Sequence, residues 1–220
     1  MTRKRRELRV VAVVLAGCLT ALAAAVGYAF GPGYAAYWNY QPQPGDILFQ
    51  SLPPSPLVAA IEGATGSPYS HCGLVARHNG QWVVIEAFDG VEVTPLREFI
   101  FRGRGHGFAV YRLKPEHQGH SPEMIRAAEA RLGLPYDVRY RMDDEAIYCS
   151  ELIYDAYAEA TGGEQLGELV RLGELNWRPY EATIRHFEGG PAPLDREMIT
   201  PRDLAKAEQM MQILVYNLSP

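Results

Sequence analysis

Ile147-Tyr148-Cys149-Ser150-Glu151-Leu152-Ile153 decides how the rest of the chain is read. A short apolar run halts at one cysteine. From there Leu152, Ile153, Ala156, Tyr157 and Ala160 recur at helical spacing as far as Gly162-Gly163, which predicts a helix starting at Cys149. A cysteine at a helix N-terminus meets unpaired backbone N–H groups and the positive end of the macrodipole, both of which favour an anion. The thiolate is the nucleophilic form of the side chain. A buried structural cysteine is the competing reading, because unpaired cysteines commonly pack as small hydrophobes.

Upstream, His71-Cys72-Gly73-Leu74-Val75-Ala76-Arg77 and Gln81-Trp82-Val83-Val84-Ile85-Glu86-Ala87-Phe88 flank Asn79-Gly80, the dipeptide of a two-residue hairpin turn. That turn sets Gly73 opposite Glu86 and His71 opposite Phe88. Strand alternation then gathers His71, Gly73, Val75, Val84, Glu86 and Phe88 on one face. His71 and Glu86 become diagonal neighbours, separated by about 7–8 Å between backbones, and long side chains bridge that gap. Gly73 offers no side chain to obstruct them. Cys72 falls on the opposite face with Leu74 and Ile85, so it is expected to stand away from His71. A Cys72–Cys149 disulfide would need Cys149 on that opposite face and is disfavoured.

An imidazole beside a carboxylate on an apolar face is costly unless the two serve each other. An inert hydrogen-bonded core pair would satisfy that condition. Set beside Cys149, however, the pair completes a nucleophile, a base and an orienting acid. A metal site is not expected: His71 and Cys72 point to opposite faces, and no CxxC or HxxxH spacing occurs. Nothing calls for a cofactor.

The chain has 220 residues, is 47% hydrophobic and carries a net charge of −5, enough for one sizeable core. The first nine residues hold +4 of that balance, leaving −9 on the remainder. So acidic a body argues against nucleic acid as a partner. Val10 to Phe30 is an uncharged run of 21 residues behind the basic start, read as a signal peptide or a membrane anchor over residues 1–30. Leu15-Ala16-Gly17-Cys18 looks like a bacterial lipobox with Cys18 as the lipidated residue, although the run stays apolar beyond it. Positive charge before the run places the working domain in the periplasm or another extracytoplasmic space. Residues 31–44 read as a linker and 45–220 as the working domain.

Within that domain a strand is expected at Gly45-Asp46-Ile47-Leu48-Phe49. A Ser55-capped helix should follow, and further strands near Val91 and Phe108. Ser121 should open a helix with Ile125, Ala128 and Leu132 facing inward. Thr200 should cap another helix, and a strand over 212–216 should close the chain. Leu166 to Gly189 shows no clear period and reads as loop. The order suggests an α+β domain with an antiparallel sheet.

The motifs Gly45-Asp46-Ile47-Leu48-Phe49, Tyr69-Ser70-His71-Cys72-Gly73-Leu74-Val75, Val84-Ile85-Glu86-Ala87, Leu134-Pro135-Tyr136-Asp137 and Tyr148-Cys149-Ser150-Glu151-Leu152 resemble, in that order, the circularly permuted papain-like hydrolases. These are the YiiX-like amidases, akin to NlpC cell-wall endopeptidases and lecithin:retinol acyltransferases. The histidine strand preceding the cysteine helix marks the permuted group. The resemblance implies a papain-like fold in which Cys149, His71 and Glu86 form a catalytic triad, with Tyr136 or Tyr148 lining the pocket. It also implies cleavage of amide bonds in cell-wall peptides or N-acyl compounds. A thiol acyltransferase or lipid-directed hydrolase is the alternative from the same chemistry. A catalytically idle envelope binding module is the alternative from a different class. The family usually has an apolar residue where this chain has Cys72, and oxidation is the main consequence expected there.

Overall fold

The structure, a computed structural model, describes residues 15–22, 27, 31, 33–143 and 145–218. It divides into two compact units, residues 1–40 and 41–220. In the first, residues 15–22 and 33–39 are helical, so part of the expected linker is helix. Cys18 is exposed. Among the described residues no helix is long and apolar enough to cross a membrane. The expected anchor falls largely on residues outside the described ones.

The second unit is built on a six-stranded antiparallel sheet in the order β4-β3-β2-β1-β5-β8. In chain order its elements are β1 (Ile47–Gln50), α1 (Pro56–Thr65), β2 (His71–His78), β3 (Gln81–Ala87), β4 (Val91–Pro95), α2 (Leu96–Arg102) and β5 (Phe108–Leu113). After these come α3 (Ser121–Glu129), α4 (Cys149–Thr161), β6 (Val170–Arg171), α5 (Glu181–Glu188), β7 (Glu197–Met198), α6 (Pro201–Ala205) and β8 (Met210–Tyr216). Strands β6 and β7 form a separate two-stranded ladder.

The hairpin has the register that Asn79-Gly80 dictates, with His78 opposite Gln81 and Leu74 opposite Ile85. Both turn residues have positive φ, 50° and 79°, as a type I′ turn requires. Ile47, Phe49, Cys72, Leu74, Ala76, Val83 and Ile85 pack on one side of the sheet with Met124 and Ala128 of α3 and Leu152, Ile153, Ala156 and Tyr157 of α4. The opposite side carries His71, Gly73 and Glu86 and is covered by Phe99 of α2.

Helix α4 starts at Cys149 as expected. Tyr148 is its N-cap, and the Glu151 side chain accepts the Tyr148 N–H at 3.2 Å. Gly162 ends the helix with φ 75°. Burial pushes the Glu151 carboxyl up to about 9 against that hydrogen bond, with Asp155 and Asp137 adding to the rise. Glu151 therefore caps as a neutral acid, not as the first-turn charge its position suggests.

Three sequence expectations need correcting. Helix α3 stops at Glu129, so Leu132 lies beyond it and is exposed, and the inward residues are Met124, Ala127 and Ala128. Helix α5 occupies part of the stretch expected as loop; it spans only 8 residues and none of them is buried, too short for its period to stand out from the loops around it. Helix α2 was not anticipated. It has seven residues and follows β4 directly, too short for periodicity to register.

Gly73 is a steric requirement of this arrangement. A Cβ there would lie 2.3 Å from Val84 Cγ1, 3.1 Å from Phe99 Cε2 and 3.3 Å from Glu86 Cβ. Gly73→Ala is therefore expected to lower unfolding stability by about 1–3 kcal/mol in a denaturant titration. Gly119→Ala, where an added Cβ meets nothing within 4 Å, should leave the midpoint nearly unchanged.

Candidate active site

The hairpin brings His71 and Glu86 together as the register demands. His71 Nε2 lies 2.5 Å from Glu86 Oε2, and both side chains are fully buried. The imidazole sits between two rings, with centroids 5.7 Å from Phe88 and 5.6 Å from Phe99. With Nε2 committed to Glu86, Nδ1 is the nitrogen left to face Cys149, whose charge acts on the imidazole. Cys149 reaches it because α4 packs over the end of β2, with the thiol at the helix's first residue. The start of β2, an interior strand of the sheet, is thus where residues from both faces meet the helix start.

The charges are mutually dependent. Burial alone would lower the His71 pKa, but the charge and hydrogen bond of Cys149, followed by those of Glu86, outweigh it and hold His71 at about 9. Burial would raise Glu86, yet hydrogen bonds and charges of His71 and Arg102 bring it to about 2. Cys149 is held well below the usual thiol value. A hydrogen bond from Cys72 leads the causes, burial opposes it, and the charge and hydrogen bond of His71 add to the lowering. The shifts of His71 and Cys149 both favour the charge-separated form, a thiolate beside an imidazolium, over the neutral thiol and imidazole.

Cys72 departs from expectation. Its face is the predicted one, with Leu74 and Ile85, but that is also the face against which Cys149 packs. Its own pKa is driven up, first by burial and then by the Cys149 thiolate it donates to. Its side chain and its backbone both contribute to the lowering of the Cys149 pKa. The residue expected to stand apart is a direct partner of the thiol.

The two candidate tyrosines divide. Tyr136 is half-buried, and its hydroxyl lies 3.1 Å from that of Tyr140. Burial, Tyr140 and the Cys149 charge all raise its pKa. Tyr148 is fully buried and engaged elsewhere: its hydroxyl accepts the Ile199 N–H at 3.1 Å and donates to Met142 Sδ at 3.0 Å. Its ring backs Tyr140 at 4.8 Å between centroids.

Tyr140 escaped the sequence reading. It adopts φ 54°, an unusual backbone for a bulky residue and a form of strain found at functional sites. Tyr140 also lines a cavity with Leu57, Ile61, Ile184, Phe187 and Ile199, among others, whose volume including its open mouth is about 700 Å³. Its hydroxyl feels the Cys149 charge, although Cys149, His71 and Tyr136 do not themselves line this largely apolar cavity. Among the described residues, no group of three or more His, Cys, Asp or Glu side chains could hold a metal ion.

Comparison with known proteins agrees with this architecture. The family model described as the permuted papain-like amidase enzyme, YaeF/YiiX, C92 family, matches residues 41–214. The uncharacterized protein YiiX of Escherichia coli strain K12 is 32% identical over 180 residues, covering 79% of this chain and 87% of that protein. The crystal structure of the metalloprotein YiiX from Escherichia coli O157:H7 is similar, with a TM-score of 0.72 and 32% identity. The match covers 80% of this chain and 99% of that one.

The contact between Cys72 and Cys149 has a measurable consequence. Mild oxidation with diamide should join the two sulfurs, each thiol losing one hydrogen to the reagent. A non-reducing peptide map would show the Cys72 and Cys149 peptides linked, and dithiothreitol would release them. Cys72→Ala should abolish the link. Recovery of both thiols unoxidised in the wild type would contradict the contact.

Proposed function

The chain belongs to the permuted papain-like amidase family, an enzyme family of the cysteine-hydrolase type, and from that premise we propose that it cleaves amide bonds through an acyl-enzyme on Cys149. The observation that carries this reading is the buried charge pairing of Cys149 with His71, backed by Glu86. The Cys149 thiolate attacks the carbonyl carbon, and the carbonyl oxygen becomes an oxyanion. The Cys149 backbone N–H, at the first position of α4, has no intrahelical acceptor and suits that charge. The His71 imidazolium gives its proton to the leaving nitrogen. As neutral imidazole it then deprotonates the water that cleaves the thioester. Glu86 holds the ring in place throughout.

No step requires a metal or an organic cofactor. Substrate enters from the side of Tyr136 and Tyr140, the half-buried residues beside the thiol. The basic start and uncharged run of residues 10–30 support an N-terminal signal, anchor or lipidation at Cys18, with the hydrolase working on the outer side of the membrane. Peptide, N-acyl and lipid-linked compounds are the substrate classes this setting offers.

One observation favours acyl substrates over bare peptides. The cavity walled by Tyr140 is lined mainly by Leu, Ile, Ala, Pro and Phe side chains, and an alkyl chain gains about 0.8 kcal/mol per buried CH₂ in such a space. The two readings give different outcomes with p-nitrophenyl esters of increasing chain length. Acyl specificity predicts kcat/KM rising by several-fold per two methylenes until the cavity is filled. Ile184→Trp should then slow long esters and spare the acetate. The intact mass should show an acyl adduct that Cys149→Ala lacks. Faster cleavage of unacylated peptides, with no dependence on chain length, would assign the site to peptides, and absence of any adduct would favour the idle module.

A further inference from the structure

Arg102 ends α2 and reaches the sheet face that carries His71 and Glu86. Its guanidinium lies 4.0 Å from the ring centroid of Phe88 and 5.4 Å from that of Phe99, the two rings that also flank His71. Its Nη2 donates to Glu86 Oε2, the oxygen that His71 Nε2 also engages. One carboxylate oxygen thus joins the imidazole to the guanidinium. On the same face, Gln50 stands opposite His71 in the β1–β2 ladder. Among the described residues Glu86 Oε1, Arg102 Nε and both amide atoms of Gln50 are buried without hydrogen-bond partners.

Orphaned polar atoms of this kind cost stability, and apolar side chains of similar volume would often pack as well or better. Stability is therefore a poor explanation for an acid and a guanidinium at this place. Charge balance at the thiol is a better one. The Cys149 thiolate and the His71 imidazolium cancel, and Glu86 adds one negative charge. The other charged groups facing Glu86 do not offset it. Glu92 lies directly opposite on β4, and Asp89 and Glu98 lie beyond it, all acidic. On the other side of the thiol, Cys72, Tyr136, Tyr140 and Tyr148 are driven towards their neutral forms by burial. Arg102 supplies the balancing cation.

We propose that Arg102 is a positioning residue for the Cys149–His71 pair: its guanidinium keeps Glu86 ionised and in place, and Glu86 in turn fixes the His71 ring. The proposal rests on the reading of Cys149 as nucleophile and His71 as its base. Without the guanidinium the buried cluster gains a proton, by either of two routes. The thiolate takes it directly, or Glu86 takes it and no longer supports the imidazolium that stabilises the thiolate. Both routes move the onset of thiol reactivity to higher pH.

The test needs no substrate, so it stands apart from any failure to find one. In the full chain, carbamidomethylation of Cys149 by iodoacetamide is followed against pH on the Cys149 peptide by mass spectrometry. Arg102→Gln should slow the acid side of the profile on the order of tenfold, the size expected for losing a nearby opposite charge. Arg102→Lys, which keeps the charge, should retain the wild-type profile. In a Glu86→Gln background, Arg102→Gln should add little. An unmoved profile in Arg102→Gln would overturn the proposal. So would a displacement as large in Arg102→Lys, or one that persists in Glu86→Gln. If Arg102→Gln does not fold, Arg102→Met, which keeps the side-chain bulk and removes the charge, is read by the same criterion. An ordinary thiol profile in the wild type would remove the nucleophile reading and this proposal with it.

Discussion

Opposite charges packed together away from bulk solvent hold this site together. A thiolate, an imidazolium, a carboxylate and a guanidinium alternate through Cys149, His71, Glu86 and Arg102. Each is costly to bury alone and tolerable only beside the next. Burial by itself would neutralise Cys149, His71 and Glu86, and in each case the neighbours reverse that tendency. The direction in which each of these side chains is shifted is thus a property of the group as a whole.

The fold is arranged to permit this packing. The hairpin turn at Asn79-Gly80 fixes the register, and the register sets His71 diagonally from Glu86 across Gly73. Only a residue without a Cβ leaves that diagonal open, because Val84 and Phe99 already fill the space around it. Helix α4 approaches from the opposite side of the sheet, packing on Cys72 and Leu74, and delivers its first residue to the end of β2. Helix α2 closes the His71 side with Phe99 and Arg102. The segment around Tyr136 is tied to the residues leading into α4 by the Ile147 N–H donating to the Pro135 carbonyl at 3.0 Å and the Asp137 N–H to that of Ile147 at 3.2 Å. That tie places Tyr136 near the thiol.

What could be read from the sequence follows from which signals are local. The turn dipeptide and strand alternation gave the His71–Glu86 contact, and helical spacing gave the start of α4 at Cys149. The meeting of Cys149 with His71 came only from family resemblance, because it depends on how α4 crosses the sheet. The same gap explains the error over Cys72. Alternation assigned its face correctly, but distance from the site does not follow when the thiol lies over a strand end. Arg102 and Tyr140 had no sequence signal. One sits on a helix too short to show a period, and the other owes its place to a positive φ outside any regular element.

The central claim is that Cys149 and His71 exist as an ion pair at neutral pH. Nitrogen-15 NMR of the full chain with labelled histidine tests it directly, with the His71 signals assigned by their loss in His71→Gln. The account predicts both ring nitrogens protonated at neutral pH, titrating only near 9, and a clear downward shift of that titration in Cys149→Ala. A His71 ring that is neutral at pH 7 in the wild type and unmoved by Cys149→Ala would contradict it.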